Sequence, residues 1–167
     1  MKSAANNKGD GPSNTSAISP HTLQCMEIWG GSEAIDNTIE VPGIDAWITS
    51  TPFNGALRGG DIHYVSMCAC GRISRFALAD VAGHGDEAAA LADRLRSLMR
   101  RYINTPDQTN LVRALNREMS AIVSGGAFAT AVMASYFPPT DHLIVCNAGH
   151  PAPLWYCLLY TSDAADE

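Results

Sequence analysis

The hydrophobic pattern of this chain changes period twice, and that order constrains the fold more than any single residue does. From Ile44 onward, short runs rich in β-branched and aromatic residues (Ile44–Ser50, 62–67 and Ile73–Val81) are punctuated by Gly, Pro and Asn, as strands are. Ala69–Gly71 reads as the hairpin turn between the last two. The period then lengthens: Ala88, Leu91, Leu95, Leu98, Met99 and Tyr102 recur at steps of three and four, the spacing of a helix with one apolar face. Thr105, Pro106 and Gln108 read as the N-cap, first turn and capping box of a second helix. Its apolar positions Leu111, Leu115, Met119 and Ile122 run to a stop at Gly125-Gly126. Strand patterns return at 127–137 and 142–147, around the turn Pro138-Pro139-Thr140-Asp141, with one more strand expected at 153–160. Strands, two helices, then strands predict an α+β fold: a mainly antiparallel sheet with helices packed on it.

The first 24 residues, rich in Asn, Ser and Gly, lack an apolar period and are expected to form a disordered leader. The folded domain is placed at 25–156. Its opening segment, around Trp29, is expected to be a short strand and a loop broken at Gly30-Gly31. The formal charge of −6 argues against nucleic acid as a partner, because a phosphate backbone demands a basic face. The one basic cluster, Arg94, Arg96, Arg100 and Arg101, reads as a solvated helix face. Residues 1–34 hold no apolar signal segment, and no run approaches the roughly 18 apolar residues of a membrane span. Five cysteines without paired C-x-x-C spacing support neither zinc nor a disulfide framework, and a cytoplasmic protein with reduced thiols is expected.

Two aspartates stand out by their surroundings. Asp61 follows Gly59-Gly60 where a strand begins, and Asp80 closes the apolar run Phe76-Ala77-Leu78-Ala79 before Gly83-His84-Gly85. A carboxylate ending a buried strand is costly to desolvate unless it is paired, hydrogen-bonded or bound to metal. Taken singly, Asp80 could cap the next helix and Asp61 could be a turn residue. One hairpin joins them, however, and its two outer ends lie together. Oxygen-only ligands of this kind suit Mg²⁺ or Mn²⁺ better than zinc. Gly83-x-Gly85-x-x-Ala88 matches a dinucleotide fingerprint in letters, but a second helix follows where the next parallel strand belongs. His63, His84 and His150 lack the helical spacing of a zinc hydrolase and read as structural. No serine elbow or paired catalytic cysteine is present.

Together, Gly59-Gly60-Asp61, the run from Ala79 to Gly85, and Asn147-Ala148-Gly149-His150-Pro151-Ala152-Pro153-Leu154 resemble the successive signatures of SpoIIE/RsbU-type phosphatases. Leu115-Asn116 and Phe128-Ala129-Thr130-Ala131 fit in the same order. These enzymes belong to the metal-dependent protein phosphatase (PPM) fold, a β-sandwich flanked by helices. The resemblance implies that Asp80 bridges two Mn²⁺ or Mg²⁺ ions, that the Val81 carbonyl completes one site, and that Asp61 is a nearby carboxylate. It implies hydrolysis of phosphoserine or phosphothreonine on a partner protein, typically an anti-sigma-factor antagonist in bacterial partner switching. The first helix would resemble the family's regulatory element beside the metals.

The pattern is incomplete at its far end. The family's later Thr-Asp-Gly and Asp-Asp motifs have no counterpart, and residues 157–167 read as a non-native tail. No role is therefore carried onto Asp163 or Asp166. The alternative to a phosphatase is a non-catalytic binding module of the same fold, or an inactive fragment of one.

Overall fold

The hairpin of β5 (Arg58–Cys68) and β6 (Ile73–Val81) is the frame on which the rest is assembled. The computed structural model describes residues 19–82, 86–121 and 128–156. Across the hairpin, Asp61 to Cys68 pair antiparallel with Asp80 to Ile73. On one side β5 is flanked by β2 (Ile28–Glu33). On the other, β6 pairs with β7 (Ala129–Phe137), which pairs with β8 (His142–Ala148). The five-stranded sheet therefore has the order β2-β5-β6-β7-β8, antiparallel throughout. That removes the dinucleotide reading, which requires a parallel sheet.

Alternation along β5 and β6 sends side chains to two separate cores. Ile62, Tyr64, Cys68, Ile73, Ala77, Ala79 and Val81 pack beneath α1 (Asp86–Arg101) and α2 (Gln108–Ser120), against Ala92, Leu95, Leu98, Met99, Leu111 and Leu115. Val65, Met67 and Phe76 face the other way, onto Leu23, Ile39 and Val41. This second face is covered by a three-stranded sheet of β1 (His21–Thr22), β3 (Ile35–Val41) and β4 (Ile44–Ser50). The result is helices on sheet on sheet, the α+β sandwich expected. Tyr64 and Arg75 of the central hairpin fasten the helix layer through polar contacts. The Tyr64 hydroxyl donates to the Ala92 carbonyl at 2.9 Å. Arg75, 2% exposed, donates from its two terminal nitrogens to the carbonyls of Ile103 and Thr105, where α1 ends. Arg94, Arg100 and Arg101 are exposed on α1, as expected, whereas Arg96 reaches back to the sheet and donates to the Ile28 carbonyl of β2 at 2.8 Å.

Several expectations are corrected. His21 and Thr22 pair in parallel with Ile39 and Glu40, and Leu23 is 3% exposed, so the end of the expected leader is part of the fold. Gly30-Gly31 does not break a strand but lies within β2, opposite Tyr64 and His63. At Gly30, with φ +112°, a Cβ would collide with the His63 carbonyl oxygen, so only glycine lets the strands approach there. The expected loop after it is instead β3. The second helix is capped by Asp107, not Thr105: the Asp107 carboxylate accepts from the Asn110 N–H at 2.7 Å. Thr105 is held by Arg75, and Gln108 turns inward onto the Met133 carbonyl and the Ser135 hydroxyl. Residues 153–156 form no strand. The glycine stop at 125–126 and the tail at 157–167 lie outside the described residues.

Candidate functional site

The register of the central hairpin places Asp61 directly opposite Asp80. Residues opposite each other in an antiparallel pair point to the same face, so both carboxylates project on the side of the smaller sheet. They sit at the open end of the sandwich, where both are exposed. β5 begins at Arg58, so Gly59 and Gly60 are strand residues leading into Asp61 rather than a loop before it. The Val81 side chain is 5% exposed and belongs to the helix-side core, which leaves only its main-chain carbonyl as a ligand. Past the strand end, the Ala82 N–H donates to the Phe128 carbonyl at 2.9 Å and keeps β6 beside β7.

The carboxylates open into a groove whose other wall sequence reasoning missed. That wall is the connection between β4 and β5: Ser50, Thr51, Pro52, Phe53, Asn54 and Ala56 line the groove with Arg58, Gly59, Gly60, Asp61 and Asp80. In the sequence this connection is only the Pro, Asn and Gly punctuation between two strand runs. The Arg58 side chain turns to the helix side of the sheet, its guanidinium 3.3 Å from Glu33 and 3.6 Å from Asp93 of α1.

On its other side Asp80 is opposite Thr130, and the Thr130 hydroxyl lies 2.9 Å from Nδ1 of His150. The Asn147 side chain holds that histidine in place. Its oxygen accepts from the His150 N–H at 2.9 Å and its NH₂ donates to the His150 carbonyl at 2.8 Å. Gly149, at φ +74°, supplies the left-handed turn this requires. The Asn-Ala-Gly-His segment is thus a clamp that sets His150 at the same end of the sheet as the carboxylates.

His63 is elsewhere. It is buried beneath Trp29, ring centroids 5.9 Å apart, and burial holds its imidazole below the usual histidine pKa. His84 lies outside the described residues. Among the described residues no group of three or more His, Cys, Asp or Glu gathers around one point. Two exposed carboxylates with main-chain carbonyls beside them form a hard, oxygen-only donor set. That set fits Mg²⁺ or Mn²⁺ with water in the remaining positions.

A mainly antiparallel sandwich with helices on its outer face, and an acidic groove at the end of its central hairpin, has the layout of a PPM-type phosphatase domain. The family model for Stage II sporulation protein E (SpoIIE) matches residues 71–161, more than half of the chain. The chain belongs to that family. Asp80, Val81, Thr130 and the Asn147–His150 clamp lie inside the match, and Asp61 precedes it. The match also enters the stretch that reads as a tail. No curated protein and no solved structure matches the chain.

Proposed function

We propose that the chain carries the site of a metal-dependent phosphatase that dephosphorylates phosphoserine or phosphothreonine on a partner protein. An anti-sigma-factor antagonist in bacterial partner switching is the expected substrate. The observation that carries this reading is the direct pairing of Asp61 with Asp80 above an open groove. Two carboxylates facing one groove repel a phosphoryl group unless cations stand between them. Their fixed separation across two strands, with the Val81 carbonyl one residue on, offers divalent cations a preorganised set of oxygens. Mn²⁺ or Mg²⁺ held there supplies Lewis acidity toward the phosphoryl group and its attacking water.

The chain's own residues would do the holding and positioning. Asp61 and Asp80 fix the anionic floor, and the 50–56 wall orients the phosphorylated segment above it. A cytoplasmic setting is in keeping with Cys25, Cys68, Cys70 and Cys146, all free thiols. No helix among the described residues is long and apolar enough to cross a membrane.

The test is Mn²⁺-dependent release of phosphate from a phosphoserine protein, comparing the chain with Asp80→Ala. Weak turnover that disappears in Asp80→Ala is expected. Absence of turnover from both proteins would favour the second reading, a non-catalytic binding module of the same fold. That reading draws on the observation that, among the described residues, two candidate carboxylates meet at the groove and no third joins them.

A further inference from the structure

The groove is far larger than a phosphoryl group requires. Its volume of about 750 Å³ lies in the range that holds ligands of several tens of atoms. Its floor is acidic, which offers a phosphorylated chain little direct attraction apart from bound cations. The wall opposite is different in character. Phe53 lines the groove with its side chain 83% exposed, and Leu57 on the same connection is 89% exposed.

The turn that carries Phe53 is a shaped one. Pro52 is buried and anchors it, the Ala56 N–H donates to the Phe53 carbonyl at 3.1 Å, and Asn54 and Gly55 take left-handed conformations. A Cβ placed on Gly59 would touch Pro52 at 3.5 Å, so the turn packs directly over the strand that leads into Asp61. The chain thus holds a large apolar ring in solvent on a fixed turn, in the same groove as the carboxylate pair. An aromatic ring gains most free energy when such a surface is covered.

We infer that Phe53 is a specificity-determining residue that receives an apolar side chain flanking the phosphorylated residue of the substrate protein. This rests on the phosphatase reading and names what that site selects: phosphoserine segments with an aliphatic or aromatic neighbour. The phosphoryl group lies over Asp61 and Asp80, and the flanking side chain lies against the Phe53 ring. Continuity of the ring with the carboxylate groove distinguishes it from Trp47. That residue is 76% exposed but on the outer face of the smaller sheet, bonded to Asp36 at 2.7 Å.

The experiment is fluorescence-anisotropy binding, in Mg²⁺, of two labelled phosphoserine hexapeptides that differ only in a Leu or an Asn beside the phosphoserine. Tighter binding of the Leu peptide by about tenfold is expected, the scale of a modest apolar contact. That preference should vanish in Phe53→Ser and survive in Trp47→Ser. Both positions are exposed, so neither change touches the core. Equal affinity for the two peptides, or a preference that persists in Phe53→Ser, would overturn the inference. Either result leaves the phosphatase reading intact, because Asp80-dependent phosphate release is measured separately. Failure of both peptides to bind would also overturn the inference.

Discussion

Asp61 and Asp80 face each other across β5 and β6 on one side of the sheet, with Thr130 next in the row beyond Asp80. Like charges directly opposite in a sheet are destabilising unless something neutralises them. Two consequences of opposite sign follow. In chelator, Asp80→Asn should raise the melting temperature by about 1–4 °C. In millimolar Mn²⁺ the unmodified chain should gain stability and Asp80→Asn should not. Differential scanning fluorimetry with and without Mn²⁺ reads both, and equal Mn²⁺ stabilisation of the two proteins would remove Asp80 from the metal site.

Arg75 is the fastener between the sheet and the helix layer. Arg75→Ala leaves the Ile103 and Thr105 carbonyls without their donor and opens a hole beneath α1. The expected loss is about 3 kcal/mol or more in urea unfolding. Arg75→Lys should recover little of it, because one ammonium cannot reproduce the guanidinium fork that spans two carbonyls. A Lys variant as stable as the parent would show that the fork geometry is unimportant.

His63 should make the fold sensitive to mild acid. Burial holds its folded pKa below the ordinary value of 6.5. The unfolded chain therefore takes up the proton first, and stability rises with pH wherever that state binds more protons. The contribution is fully present above pH 6.5 and is lost as pH falls from there through the folded pKa. His63→Gln should flatten the dependence of the urea midpoint between about pH 7 and 5. An unchanged slope would assign the acid sensitivity to other groups.

The outer edge of β8 should promote self-association. Among the described strands β8 pairs only with β7, and Leu143, Ile144 and Val145 are each more than 40% exposed. An unpaired apolar edge is a template for another strand. Val145→Lys should lower concentration-dependent association in sedimentation velocity. Identical profiles for the two proteins would place the sticky surface elsewhere.

Much of this was legible in the residues. Ile44–Ser50 and Ile73–Val81 are strands with the bounds the pattern sets. The described apolar stripe of α1 falls on its buried face through Leu95, Leu98 and Met99. These elements announce themselves because each buries one regular face, and side-chain period reports that directly. The same local logic picked out Asp61 and Asp80, and one hairpin was enough to bring them together.

What lay beyond that reading has a common cause. Gly30-Gly31 carries every local sign of a break, yet pairing with Tyr64 and His63 makes it a strand. Thr105 has the better-looking cap sequence, yet Arg75 takes its carbonyl and Asp107 caps instead. His21 and Thr22 look like leader until Ile39 and Glu40 are beside them. The Phe53 wall of the groove is bare punctuation in sequence and acquires meaning only when it folds over Gly59, beside the carboxylates. The amino-acid sequence by itself determined the elements with a regular buried face and the charged pair at the end of one hairpin. Only the tertiary structure decided the second sheet, the helix cap and the shape of the groove. Those depend on contacts between residues distant in the chain, whose energies no local pattern contains.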